Sequence, residues 1–96
     1  KRVINPVKIG NLQSILVFPN PTEGEIQFEF QVEKTGDVDI NVRDLVGREV
    51  IKILNTQMPD GKYTYVADLS ELSDGFYFLS IKTISTTQQS KIIVSK

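Results

Sequence analysis

The chain has 96 residues, of which 11 are basic and 12 are acidic, and it contains neither histidine nor cysteine. This length fits one domain with a single modest core. The charges nearly balance and form no basic stripe, which argues against a nucleic-acid partner. No apolar run approaches the ~18–20 residues that a membrane-spanning helix needs. A disulfide framework is excluded, so the core alone must stabilise the fold.

The missing residue types also limit catalysis. Without histidine the chain lacks the commonest general base and metal ligand, and neither a Ser-His-Asp nor a Cys-His arrangement can form. Carboxylates remain, and they occur in two groups: Asp37 with Asp39, and Glu25 with Glu29 and Glu33. Their alternation with apolar residues is typical of the solvated face of a strand rather than of an acid–base pair or a calcium site. We therefore expect no enzyme, no cofactor and no small-molecule substrate.

Residues 1–12 show no clear periodicity and contain Pro6 and Gly10. Such a segment is typical of a linker or tail, so the predicted domain covers residues 13–96. The first residue is Lys1 rather than methionine. The chain is therefore expected to be a fragment or a processed form, with any export signal lying before it.

A period of two dominates the rest of the chain. Residues 25–33 alternate polar and apolar without a fault, which places Ile26, Phe28, Phe30 and Val32 on one face of a strand. Other segments rich in β-branched and aromatic residues extend this pattern. The predicted strands are residues 15–18, 25–33, 37–43, 49–54, 63–68, 76–82 and 91–94.

Turn-forming residues separate these segments every ~8–12 residues, which predicts an all-β antiparallel sandwich of about seven strands. No segment keeps a helical period, and residues 69–72 fit at most one turn of 3₁₀ helix. In the tight connection over residues 34–37, Gly36 is expected to adopt a positive φ. The polar stretch over residues 85–90 predicts a loose final hairpin.

Aromatic residues offer two candidate surfaces. Tyr63 and Tyr65 share one strand face, where they could stack on a sugar or a base, although core packing is the commoner fate of such pairs. If Tyr77 points inward, then Phe76 and Phe78 point outward. Ile93 joins the two phenylalanines if its neighbours on the last strand face the core. These three outward residues mark either an exposed interface or a surface covered by a loop or tail.

Three passages occur in a fixed order and are followed by a closing strand. The passages are residues 17–24 with Pro19, Asn20 and Pro21; residues 42–50 with Asp44 and Gly47; residues 68–81 with Gly75 and Tyr77; and the closing residues 91–96. Together they resemble a known family, the C-terminal sorting domains of type IX secretion substrates of Bacteroidetes-type bacteria. The resemblance covers about residues 15–96.

The turn residues of these passages also have an ordinary structural interpretation. Pro19 and Pro21 stiffen the chain and end a strand, because proline has no backbone N–H to donate. Asp44 can accept hydrogen bonds from backbone N–H groups, and Gly47 can take a positive φ. Asp68 can cap a short turn in the same way.

The resemblance implies an immunoglobulin-like β-sandwich at the end of a larger cargo protein. It further implies that the cargo crosses the inner membrane with an N-terminal signal peptide, and that an outer-membrane translocon then recognises the folded domain. In many members a surface sortase removes the domain, and the cargo is released or joined to a surface lipopolysaccharide. The partners implied are the translocon, a sortase and the N-terminal cargo domain. Cleavage is expected within or just before residues 1–12, because a protease needs an extended exposed segment.

Residues 91–96 are expected to form an edge or terminal strand, and an edge strand offers unpaired backbone groups to a partner. The sorting-signal candidates are therefore Lys91, Ile92, Ile93, Val94, Ser95 and Lys96. Two other functions fit the same fold: a ligand- or carbohydrate-binding module that uses the tyrosines or the outward phenylalanines, and a structural spacer. Fold alone does not separate these hypotheses.

Overall fold

The computed structural model describes residues 12–96, which form eight strands and no helix. The predicted all-β sandwich is therefore confirmed, with two very short strands at its start. The predicted tail lies outside the described residues apart from its last residue, Leu12, which begins the first strand. The strands are β1 (Leu12–Ser14), β2 (Val17–Phe18), β3 (Glu25–Val32), β4 (Gly36–Arg43), β5 (Glu49–Met58), β6 (Gly61–Asp68), β7 (Gly75–Lys82) and β8 (Thr87–Val94).

The strands form two sheets. One sheet has the order β1-β8-β7-β4-β5, and the other has the order β2-β3-β6. All pairings are antiparallel except β1 with β8, which is parallel. Near the start of β7, the Tyr77 hydroxyl donates a 2.7 Å hydrogen bond to the carbonyl of Ser73, four residues upstream. Immunoglobulin-like sandwiches use the same tyrosine-to-backbone bond to fix a corner between their sheets.

The core lies between the sheets and follows the alternation in the sequence. Ile26, Phe28, Phe30 and Val32 of β3 are all at most 4 % exposed. The Tyr63 ring stacks on Phe30 with 5.5 Å between ring centroids. Tyr65 lies 6.1 Å from Phe28, measured in the same way. Both tyrosines are partly buried against the core, so the expectation that they serve packing is confirmed. The opposing sheet contributes buried residues that include Val38, Ile40, Val42, Tyr77, Leu79, Ile81, Ile92 and Val94.

Two expectations about local structure are wrong. Gly36 does not have a positive φ; it begins β4 and is buried, and a Cβ there would collide with Cδ1 of Ile84. The missing side chain at this position leaves room for the end of the Ile84 side chain, and no positive φ is involved. The final hairpin is not loose, because β8 begins at Thr87 and the turn is closed by a 2.9 Å hydrogen bond from the Thr83 N–H to the Thr86 carbonyl. No helix between residues 12 and 96 is long and apolar enough to cross a membrane.

Candidate functional site

The turns of the three passages that carry the family resemblance lie at one end of the sandwich, together with the end of β8. Pairing of Glu25 with Asp68 brings the β2–β3 loop beside the β6–β7 loop. The Leu69 N–H then donates a 2.7 Å hydrogen bond to the Gly24 carbonyl. Pairing of Arg43 with Phe78 places the β4–β5 turn at the same end. We call this end the motif end; it comprises residues 19–24, 44–48, 68–75 and 95–96.

Asn20 connects the first motif passage to β8. Its side-chain Nδ2 donates to the Lys91 carbonyl, and its Oδ1 accepts from the Ile93 N–H, both at 2.9 Å. Two residues later, the Thr22 N–H donates to the Ile93 carbonyl at 2.8 Å, and the Thr22 carbonyl accepts from the Ser95 N–H at 2.9 Å. The segment therefore occupies the backbone groups of β8 as a neighbouring strand would.

The expectation that β8 offers a free edge is therefore wrong. β7 pairs with β8 on one side from Thr87 to Val94. On the other side, β1 pairs with residues 87–89, and the segment around Asn20 covers residues 91–95. The physical reason is that an unpaired edge leaves backbone donors and acceptors open to association, and this chain covers that edge with its own earlier segment. Segments of the same chain therefore cover the backbone of β8 along both of its edges.

The six sorting-signal candidates divide into two groups. Ile92 and Val94 are buried in the core at 0 % and 1 % exposure. The other four reach the surface: Ile93 is partly buried on the outer face of the sheet, and Lys91, Ser95 and Lys96 are exposed.

Thr22 is a structural residue that the sequence interpretation did not single out. It is 1 % exposed, and its hydroxyl accepts from the Gly24 N–H at 2.9 Å and donates to the Glu25 carbonyl at 2.7 Å. A small polar residue directly after a Pro-Asn-Pro turn is the signal that identifies it. The Phe18–Pro19 and Asn20–Pro21 peptide bonds are both cis.

The chain end is attached to the β6–β7 loop. Lys96 donates its N–H to Asp74 Oδ1 at 3.1 Å and its Nζ to the Ser70 carbonyl at 2.6 Å. Asp68 caps the same loop as expected, because its Oδ1 accepts from the Ser70 N–H at 2.9 Å. The pKa of Asp68 is lowered, mainly by a hydrogen bond from the Ser70 side chain and next by the bond from the Ser70 backbone.

Asp44 organises the β4–β5 turn, as expected from its position in the motif. Its Oδ1 accepts from the N–H groups of Val46 and Arg48 at 2.9 and 3.0 Å, and its Oδ2 accepts from Arg48 Nε at 3.0 Å. Backbone bonds between Asp44 and both Gly47 and Arg48 close the turn. Gly47 has a φ of 98°, so its predicted positive φ is confirmed. The Gly47 carbonyl in turn accepts from Arg43 Nη1 at 2.9 Å.

Acidification is expected to weaken this turn. The backbone N–H of Arg48 is the main cause that lowers the pKa of Asp44, and burial opposes it. A carboxyl whose pKa is depressed by folding stabilises the folded state above its unfolded pKa of about 3.9, and this stabilisation is lost as the pH falls through the folded pKa. We expect Asp44→Asn to reduce the dependence of the urea midpoint on pH below about pH 4, because the variant has no carboxyl group to protonate there. An unchanged pH dependence in this variant contradicts the assignment.

The outward phenylalanines lie on the outer face of the five-stranded sheet near the motif end. Phe76 is 49 % exposed and pairs with Ile93, while Phe78 is partly buried and pairs with Lys91. The Lys91 Nζ lies 5.2 Å from the centroid of the Phe76 ring, within the range of a cation–π contact. Tyr77 between them is buried. The predicted orientation of this strand is confirmed, and its role as an interface stays a prediction.

A family model described as "Secretion system C-terminal sorting domain" matches residues 16–95. This range includes the three motif passages and all but the last of the sorting-signal candidates. No curated protein matches the chain. Among residues 12–96, no group of three or more acidic residues could hold a metal ion.

Proposed function

The chain belongs to the family of secretion system C-terminal sorting domains. We propose that it directs an attached cargo protein through the outer membrane, and that the side chains at its motif end are the groups recognised. Membership makes the chain a sorting signal of the type IX secretion system, situated at the end of a cargo precursor that is secreted or attached to the cell surface. The proposal adds the route through the periplasm and recognition of the folded domain by the outer-membrane translocon.

One observation carries the assignment of the recognised surface. All three family passages meet at the same end as residues 95–96, although up to 73 positions separate Asn20 from the β8 residues that it binds. Lys91, Ser95 and Lys96 are exposed beside this end, where a partner can contact them. We assign recognition to these side chains and to Ile93, because the β8 backbone is already paired.

The proposal includes removal of the domain by a surface sortase. Proteases bind extended segments and do not accept paired strands, so the cut is assigned within or just before residues 1–12. Residues 25–82 are a poor site for the cut, because the consecutive strands β3 to β7 and their short connections occupy this range. N-terminal sequencing of the domain retained after secretion measures the position directly. A cut inside residues 25–82 contradicts it.

A reporter fusion tests the function. Residues 1–96 are placed behind an exported reporter in a bacterium with a type IX system, and the reporter is measured outside the cells. The wild-type fusion is expected outside, and relocation of the domain to mid-chain is expected to abolish this, whereas a spacer would tolerate relocation. Retention of the wild-type fusion inside the cells refutes the sorting function.

Charge reversal tests the assigned surface. We expect Lys91→Glu with Lys96→Glu to reduce the external reporter at least about tenfold, since removing one charged hydrogen-bonding group from an interface typically weakens binding by about that factor. The matched control is Lys34→Glu with Lys62→Glu, two exposed lysines away from the motif end. Equal secretion of the two double variants, both folded by circular dichroism, contradicts recognition through the motif end.

A further inference from the structure

The turn at residues 44–48 presents two aliphatic side chains to solvent. Leu45 is 63 % exposed and Val46 is 82 % exposed, and neither belongs to the core. Turn positions of this kind usually carry glycine, proline or short polar residues, because those residues favour the turn backbone. The turn backbone here is held by Asp44 and Gly47, so the fold itself does not require large apolar groups at the two positions between them.

The turn is also rigid before any partner arrives. The Asp44 carboxylate binds two backbone N–H groups and the Arg48 side chain, and two further backbone bonds close the loop. Arg43 adds a bond to the Gly47 carbonyl. Binding through a preorganised loop avoids most of the conformational entropy that a flexible loop loses. Leu45 and Val46 are thus held in fixed positions on the surface.

The surroundings of the turn define the chemistry of a partner. Phe78 pairs with Arg43, the residue just before the turn. Phe76 comes two residues earlier on β7, so it lies beside the turn itself, and it is 49 % exposed. The Arg48 side chain is 77 % exposed, and only its Nε is engaged by Asp44 in the described part of the chain. Lys91 adds a second cation over the Phe76 ring. Exposed apolar side chains and the cations Arg48 and Lys91 therefore lie at the same end of the sheet, where the carboxylates of Asp44 and Glu49 are already bonded to Arg48 and Lys52.

We propose that Leu45 and Val46 insert into an apolar pocket on a protein of the secretion translocon, and that carboxylates at the rim of this pocket bind Arg48. The inference rests on the proposed sorting function and names the contact that serves it. A protein pocket suits two adjacent aliphatic side chains on a fixed turn, because buried apolar anchors surrounded by a polar rim provide most of the affinity of protein interfaces. Opposite charges at the border add specificity and speed of association.

The test compares secretion of three reporter fusions: wild type, the double variant Leu45→Ser with Val46→Ser, and Ile84→Ser. Ile84 is a matched control, since it is an aliphatic residue of similar exposure, 61 %, in the β7–β8 turn at the other end of the sheet. We expect the double variant to lower the external reporter at least about tenfold, because losing the burial of one such side chain weakens binding by roughly that factor. Ile84→Ser is expected to secrete as wild type does.

Conservative variants separate recognition from folding. Leu45→Met with Val46→Ile keeps the apolar surface and is expected to secrete normally. Arg48→Lys and Arg48→Gln both remove the Nε bond to Asp44, but only the lysine keeps the charge, so only the glutamine variant is expected to secrete less. Urea midpoints of the purified domains must agree within the error of the measurement for the serine variants to count as folded.

The outcomes distinguish the two proposals. If the wild-type fusion stays inside the cells, the sorting function itself fails. If wild type is secreted and the folded double serine variant is secreted equally well, the sorting function stands and the pocket contact is refuted. Equal reductions in the double variant and in Ile84→Ser also refute it, since they show a general effect of removing surface aliphatic groups.

Discussion

Deleting residues 91–96 is expected to unfold the whole domain. The deletion removes Ile92 and Val94, which are 0 % and 1 % exposed and lie in the core between the two sheets. Truncating one such buried side chain typically costs about 1–5 kcal/mol, and a domain of this size has about 5–15 kcal/mol in total. The deletion also leaves the Asn20 side chain without both of its hydrogen-bond partners.

Thermal unfolding followed by circular dichroism measures this effect. The full chain is expected to unfold in one cooperative transition, and the deleted chain is expected to show none on heating from about 25 °C. A cooperative transition of similar midpoint in the deleted chain contradicts this prediction. Loss of secretion after such a deletion would follow from unfolding alone, so the charge-reversal and turn variants are the sharper tests of recognition.

Replacing Phe28 by alanine is expected to lower the free energy of unfolding by about 3–5 kcal/mol. Phe28 is fully buried in the middle of β3, and its ring contacts Phe30 and Tyr65 at centroid distances of 6.0 and 6.1 Å. Removing the ring loses both the burial of its apolar surface and the packing of these neighbours, and it leaves a cavity that a two-layer sandwich closes only in part.

Urea unfolding of the purified domain gives the size of the change. Phe76→Ala is the matched control, because the same substitution is made at an outward position that is 49 % exposed, where the expected decrease is below about 1 kcal/mol. Similar decreases in the two variants would mean that β3 does not face the core as described. Phe76 lies near the turn that carries Leu45. If Phe76→Ala leaves the free energy of unfolding nearly unchanged, any change in the secretion of this variant reflects a lost contact and not unfolding.

The strands and turns of this protein follow from local chemistry, which is why the sequence predicts them. The polar–apolar alternation of residues 25–33 fixes which face of β3 is buried, since side chains alternate across a strand. Asp44 and Gly47 determine their turn through contacts within five residues, so their roles are visible in the sequence. The family resemblance rests on the same short passages, and the match over residues 16–95 confirms it.

Contacts between distant parts of the chain are not predictable in this way. The neighbours of Gly36 in the sequence predict a positive φ, but the structure instead places the side chain of Ile84, from another hairpin, against this glycine. Asn20 is predicted as a turn residue from its local sequence, while its hydrogen bonds to Lys91 and Ile93 depend on where the sheets place β8.

The amino-acid sequence by itself therefore determined seven of the eight described strands in whole or in part, the turn at residues 44–48 and the family of this protein. Only the tertiary structure decided that β8 is covered on both edges and that the motif passages share one end. The physical reason is that alternation and turn chemistry act over a few residues. Edge pairing depends instead on which distant segments the closed sandwich brings within hydrogen-bond distance.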